Sequence, residues 1–389
     1  MPPRRPTLLA AICVLALSSA AGVATATVAA PLRAAPHVSA AKPWVMGYYP
    51  EYQRALMPPK EIDWRGLTHL AVGRVVPNDD GTLDTAFDYD ATRGPALAKQ
   101  LSKLAKAHHV VPILMVGGAG ERSHWRSAAG HHRAALVSHL VAAMRAYGYR
   151  GLDLDWEPIA TADEPTLLKL VTALRQAAPG VILTVPVNWV AATSGPAHRF
   201  YGRLAKQVQR LDIMAYGMAG AYPGWRTWHS SALRGAQPDT PADIVSNVKA
   251  YRAAGVPAGK LGLGVGFYGT CWAGGVDGPN QDIGESYVQA DDNVMTYDAI
   301  MSDYFSPSNY HYDSAAEAPY LGYAEPTGPQ GCTFISYENP RSIKAKGAYA
   351  RAHHLGGAII WTINQAHRLG ASPGQTDPLL RTTYRAFVG

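Results

Sequence analysis

Eight times over about 345 residues a short β-branched or apolar run gives way to a segment of helical period, and this repeat leaves few possible folds. The runs at 45–49, 67–75, 110–116, 152–155, 181–186, 211–216, 261–267 and 357–363 have the length and composition of strands. Between them, 95–108, 132–147, 166–178, 241–254 and 342–353 carry apolar residues three and four apart. Gly and Pro mark the junctions, as at Pro179-Gly180 and Gly255-Val256-Pro257. Parallel neighbours need a crossover, usually helical, so the alternation predicts the α/β class and a mainly parallel sheet. Eight repeats predict a closed (β/α)8 TIM barrel rather than an open sheet, with its chemistry at the C-terminal ends of the strands.

The fourth run reads Gly151-Leu152-Asp153-Leu154-Asp155-Trp156-Glu157. On a strand Asp153, Asp155 and Glu157 share one face, roughly 6.5 Å between successive members, while Leu152, Leu154 and Trp156 share the other. Three carboxyls so close cannot all ionise cheaply, and at least one pKa should rise. A carboxylic acid still protonated near neutrality beside an ionised one suits acid-catalysed cleavage of a glycosidic bond. Two other readings fit the same residues, a strand with a solvated acidic face and a divalent-cation site. The second lacks the twelve-residue loop with its central Gly, and no histidine is close in sequence.

The N-terminal forty residues differ from the rest. MPPRR is a basic start, 8–17 is an apolar core, and Ala24-Thr25-Ala26 is an acceptable cleavage signature. The division expected is a signal peptide at 1–26, a disordered lead-in at 27–43 and a single catalytic barrel at 44–389. Arg4-Arg5 also fits twin-arginine export, and an uncleaved N-terminal anchor is the alternative to cleavage. The expected location is secreted or periplasmic. Arg4, Arg5 and Arg33 fall in these forty residues, which hold no acid, so the formal net charge of +6 drops to +3 without them. That value gives no reason to expect a nucleic-acid partner.

The rhythm breaks once. Residues 269–335, between the seventh and eighth runs, hold seven of the chain's 21 tyrosines, together with Cys271 and Cys332. So long a connection predicts an inserted subdomain walling a cleft. In an oxidising compartment the isolated cysteine pair is most simply a disulfide, with two buried free thiols as the alternative.

With the rim assigned, nearly everything after residue 43 resembles the glycoside hydrolase family 18 chitinases. Residues 150–157 match that family's D-G-x-D-x-D-x-E signature everywhere but the first position, which is Arg150. Met214-Ala215-Tyr216 matches the start of M-x-Y-D, Gly117-Gly118 the end of S-x-G-G, and Gly357 to Trp361 the terminal strand with its tryptophan. Gly47-Tyr48-Tyr49 and Gly266-Phe267-Tyr268-Gly269 fit as well.

The resemblance implies substrate-assisted retaining catalysis on an N-acetylated sugar. Glu157 would be the acid, Asp155 would orient the acetamido N–H, Asp153 would share charge with Asp155, and Tyr216 would bond the acetamido carbonyl. Trp361 would be the floor beneath the sugar. Tyr48 and the rim tryptophans Trp225, Trp228 and Trp272 are further candidates for sugar contact. Asp153 could equally be a buried support, Tyr216 a core tyrosine and Trp361 barrel packing. The implied partner is chitin or another N-acetylglucosamine-containing oligosaccharide, met by a monomer off the membrane, with no metal or other cofactor. Gly262-Leu263-Gly264-Val265-Gly266 lies inside a predicted strand and is no phosphate loop. Other readings are an endo-β-N-acetylglucosaminidase acting on N-glycans or peptidoglycan, and a weakly catalytic chitin-binding protein. Three departures bear on these: Arg150, Met115 in place of the serine of S-x-G-G, and Gly217 where the family has Asp or Asn after the tyrosine.

Overall fold

A computed structural model describes residues 42–372 and 374–389. The expected signal peptide, and all but the last two residues of the expected lead-in, lie outside them. Seven barrel strands follow in order: β1 (Trp44–Pro50), β2 (His69–Pro77), β3 (Val111–Ala119), β4 (Gly151–Glu157), β5 (Ile182–Val187), β6 (Arg210–Ile213) and β7 (Leu261–Gly266). An insertion supplies β8 (Thr270–Ala273), β9 (Tyr287–Ala290), β10 (Tyr310–Asp313), β11 (Ala318–Thr327) and β12 (Cys332–Ser336), and β13 (Gly357–Trp361) is the eighth barrel strand. β1 pairs in parallel with β2 on one side and β13 on the other, which closes the sheet into a barrel.

Helices of ten or more residues cover the outside: α1 (Arg93–Ala107), α2 (Arg122–His131), α3 (Arg133–Tyr147), α4 (Glu164–Ala177), α5 (Ile244–Ala253), α6 (Pro340–Ala352) and α7 (Pro378–Phe387). Their spacing explains their docking. In α4, Leu167, Leu170, Val171 and Leu174 form one stripe and are its buried apolar residues. They join Leu152, Leu154 and Trp156 of β4 in the large outer core. Burying each such side chain stabilises the fold by about 1.5–3 kcal/mol. α3 stops where Gly148 takes φ +79°, a left-handed turn that glycine adopts without steric cost. α2 was not expected from the sequence.

The other face of each strand looks into the barrel. There Met46, Tyr48, Ala71, Ile113, Met115 and Ile359 form a second, smaller apolar cluster. β6 ends at Ile213, short of the expected Tyr216. The Met214 N–H still bonds the Val187 carbonyl of β5 at 2.9 Å, but the Ala215 N–H turns back onto the Ile213 carbonyl at 2.8 Å, so Ala215 and Tyr216 leave the ladder.

Between β7 and β13 the chain builds an antiparallel sheet in the order β9-β8-β12-β11-β10. A disulfide joins Cys271 on β8 to Cys332 on the neighbouring β12, with 5.4 Å between the Cα atoms. This sheet buries its own apolar cluster, which includes Trp272, Phe334, Val276 and Ala318. Among the described residues no helix is long and apolar enough to cross a membrane.

Candidate active site

Strand register brings the acids together. On β4, Asp153 lies opposite Met115 of β3, Asp155 opposite Gly117 and Glu157 opposite Ala119. Gly117 has φ +88°, and a Cβ there would come within 2.3 Å of the Trp125 Nε1 and 2.5 Å of the Asp155 carbonyl oxygen. The missing side chain lets Trp125 reach in from α2 and donate its indole N–H to that carbonyl at 3.1 Å. Trp125 also stacks on Trp156, with ring centroids 5.3 Å apart. The outward face of β4 therefore fixes the backbone whose inward face carries the acids.

Asp153 is fully buried. Its Oδ2 accepts from the Tyr48 hydroxyl at 2.7 Å, and its Oδ1 accepts from Thr184, its register partner on β5. Burial pushes its pKa up to about 6, against the lowering effect of those two hydroxyls. Asp155 is held well above the usual carboxylate range by burial first, then by the charges of Glu157 and Asp153. Its buried Oδ1 has no hydrogen-bond partner among the described residues. Glu157 is raised by burial too, opposed by a hydrogen bond with Asp155 and by the positive charge of Arg74. Below them Asp212 on β6 is pushed up to about 8, by burial and then by the charge of Asp153.

Two hollows, of about 420 and 380 Å³, meet at these acids, and Ala119, Glu157, Asp292 and Trp361 line both. The larger extends to Tyr52, Arg74, Asp88 and Asn293. The smaller is bounded by Tyr48, Asp155, Met214, Tyr216 and Tyr268. The Tyr216 and Tyr268 rings meet edge to face at 6.0 Å. β7 leaves space for them: a Cβ at Gly264 would come within 2.7 Å of the Tyr216 ring, and one at Gly266 within 2.9 Å of the Tyr268 ring. Trp361 lies 5.4 Å from the Tyr48 ring and donates its indole N–H to Asp292 Oδ1 at 3.1 Å. Gln365 donates to the same oxygen at 2.7 Å.

Asp153, Asp155, Glu157, Tyr216, Trp361 and Tyr48 thus gather around one cleft. Tyr48 edges the hollow, but its hydroxyl is given to Asp153. Trp225 is half-buried among Trp189 and Tyr222, with centroids 6.1 and 4.9 Å away, and lines neither hollow. Trp228 and Trp272 require correction as sugar-contact candidates. Trp228 is 3% exposed and spends its N–H on the Ala242 carbonyl at 2.7 Å; Trp272 is 0% exposed and packs on Phe334. The insertion uses both as core, so neither ring offers a free face.

The departures sort differently. The Arg150 side chain is exposed at the foot of β4, far down the strand from Glu157. Met115 brings no hydroxyl to Asp153, yet Tyr48 and Thr184 already supply two. Gly217 has φ +58° and donates its N–H to Ser230 Oγ at 3.1 Å. A Cβ there would find ordinary contact with the Tyr268 hydroxyl, at 3.4 Å.

Sequence reasoning missed Asp292, Arg74, Tyr268 and Asp212. Arg74 had a signal, a lone charge inside an apolar strand. It bonds Asp88 at 3.0 Å, Glu121 at 3.1 Å and the Gly117 carbonyl at 3.1 Å. Asp292 had a weaker one, the polar run Asp291-Asp292-Asn293 inside a tyrosine-rich connection. Among the described residues no group of three or more His, Cys, Asp or Glu side chains is arranged to hold a metal ion.

Known proteins resemble this chain in sequence and fold. The profile of Glycosyl hydrolases family 18 matches residues 44–366. Chitinase 1 of Aphanocladium album is 25% identical over 375 residues, covering 87% of this chain and 82% of that one. Chitinase A1 of Niallia circulans is 25% identical over 331 residues, 75% of this chain but 47% of the relative. The Group IV chitinase of Ostrinia furnacalis, solved in complex with allosamidin, superposes with a TM-score of 0.73 at 24% identity, covering 88% of this chain and 98% of that one. The chain belongs to glycosyl hydrolase family 18 and is a glycoside hydrolase on a TIM barrel.

Proposed function

We propose that this protein is an exported chitinase-like enzyme that cleaves β-1,4-linked N-acetylglucosamine polymers or oligomers with retention, using the sugar's own acetamido group. One observation carries the reading: a buried carboxyl oxygen on Asp155, without a hydrogen-bond partner among the described residues, beside Glu157, whose pKa burial raises. A free acceptor in that position can take the N–H of a 2-acetamido group.

The steps balance with these residues. Glu157 gives its proton to the glycosidic oxygen as the bond to the anomeric carbon breaks. The acetamido carbonyl oxygen of the same sugar bonds that carbon from the other face, forming an oxazolinium ion. Asp155 accepts the acetamido N–H and balances the developing positive charge, and Asp153 adjusts the charge that Asp155 carries. Tyr216 donates to the acetamido carbonyl and aims it. Glu157, now ionised, takes a proton from water, which opens the ring and leaves the product with its original configuration. Trp361 is the apolar floor, steadied by Asp292. The names of the matched relatives, both chitinases, support the substrate class. The Cys271–Cys332 bond supports export, because such bonds persist in oxidising compartments.

The test is release of a chromophore from a chitobiose or chitotriose glycoside by the wild-type protein and by Glu157→Gln. Release that disappears in the variant is expected. Binding of the sugar without release by wild type would move the assignment to a binding protein or to another N-acetylated glycan.

A further inference from the structure

Tyr216 sits beyond the end of β6, so no ladder of strand bonds fixes it, and the next residue is a glycine in the left-handed region. Two adjacent serines take the place of the ladder. Ser230 Oγ accepts the Gly217 N–H at 3.1 Å, and Ser231 Oγ donates to the Ala215 carbonyl at 2.5 Å. The peptide units on both sides of the tyrosine are therefore gripped by one dipeptide. Ser230 is fastened in turn: its N–H donates to Ser336 Oγ on β12 at 3.0 Å, and its carbonyl accepts from Met218 at 2.9 Å.

Behind Ser231 stands a buried ion pair. Lys346 on α6 is 0% exposed and pairs with Glu338, which is 3% exposed. Its ammonium also donates to Ser231 Oγ at 2.7 Å, and the other Glu338 oxygen accepts from Ser342 at 2.6 Å. Neither charged residue lines the cleft. A buried pair of this kind is weak support for stability, since apolar side chains of like volume often do as well. Its geometry offers another use. An ammonium can only donate, so it occupies a lone pair of Ser231 and leaves that hydroxyl's proton for the Ala215 carbonyl.

We propose that Ser230 and Ser231, with Lys346–Glu338 behind them, are positioning residues that set where the Tyr216 hydroxyl meets the substrate. This rests on Tyr216 acting as donor to the acetamido carbonyl. The clamp compensates for Gly217, whose wide backbone freedom would otherwise let the tyrosine swing.

A double-mutant cycle tests it, with kcat and KM measured on the chitotriose glycoside. Ser231→Ala is expected to lower kcat between about 10- and 100-fold, the scale of a small misplacement in a catalytic site, with KM within about threefold. In a Tyr216→Phe background, itself impaired, the same change should cost less than about twofold, because the group being aimed is gone. A purely structural serine would lower both backgrounds equally, and that additivity overturns the inference while leaving the function intact. A Tyr216→Phe enzyme with normal kcat removes the assumed role of Tyr216 and the clamp's purpose with it. Glu157→Gln, run alongside, reports separately on the reaction assignment. Should Ser231→Ala not fold, Lys346→Met with Glu338→Leu removes the orienting donor without stranding a charge. The same non-additive loss is expected, and a folded double variant with unchanged kcat also overturns the proposal.

Discussion

The Tyr48 hydroxyl donates to Oδ2 of Asp153 across 2.7 Å, from a strand more than one hundred residues earlier in the chain. It is one of the two hydroxyls that restrain an acid which burial alone would drive higher. Tyr48→Phe removes that restraint, so the Asp153 pKa should climb above about 6. A raised carboxyl favours folding below its unfolded pKa, and that advantage fades as pH rises through the folded value. The variant should therefore lose more stability at pH 8 than at pH 5, by about 1.5–3 kcal/mol for one hydrogen bond to a charged group. Urea melts at the two pH values give the comparison.

Glu157→Gln keeps the shape of the acid but not its proton. Turnover of the chitotriose glycoside should fall by about 10²- to 10⁴-fold, the usual share of general acid catalysis, with sugar binding nearly unchanged by calorimetry. Asp155→Asn should slow turnover as well, through poor placement of the acetamido group. A Glu157→Gln enzyme of near-normal rate would mean that another residue is the acid.

Arg74 lowers the pKa of Glu157, and its removal also leaves Asp88 and Glu121 uncompensated nearby. Both effects push the same way. Activity is lost as pH rises through the pKa of the acid, so in Arg74→Met the alkaline limb of kcat/KM should move to higher pH. Because Asp155 and Glu157 titrate together, the limb reports the pair. A limb that moves down, or stays in place, counts against Arg74 as the tuning charge.

Asp212 is a buried carboxyl whose Oδ2 lacks a hydrogen-bond partner among the described residues. Its pKa, pushed up to about 8 from an ordinary 3.8, makes wild-type stability fall as pH rises between those values. Asp212→Asn abolishes that titration. The variant should be the more stable protein at pH 8, by up to a few kcal/mol, and the advantage should shrink toward pH 4. Thermal melts across that range would expose an opposite trend.

The disulfide closes a loop of 61 residues. Replacing both cysteines by serine should cost up to about 4 kcal/mol on chain-entropy grounds. The insertion should loosen before the barrel does, visible as earlier amide exchange in β8 to β12. Simultaneous loss of both sheets would mean that they fold as one unit.

The barrel was legible because each strand is a short β-branched run between Gly or Pro punctuation, and the acids because alternation on β4 is a purely local pattern. What escaped reading depends on where distant segments meet. Asp292 reaches the cleft only because the insertion folds back onto Trp361 and Gln365, and nothing near residue 292 encodes that. Trp228 and Trp272 look like any rim tryptophans in sequence; their burial is decided by Phe334 and the sheet that forms over them. Tyr216 was found by motif, but its departure from β6 was not, since the turn at Ala215 involves no Pro and precedes the telling Gly217.

β1 meets β13, and that late pairing has a consequence for the order in which this protein comes into being. Glu157 is made about two hundred residues ahead of Trp361 and Gln365. Until they emerge, the nascent chain has an acid with no floor under it and a sheet with two open edges. The enzyme is thus silent until that pairing forms, and a chain cut short near residue 356 would keep every carboxylate of the site and still have nowhere to seat a sugar.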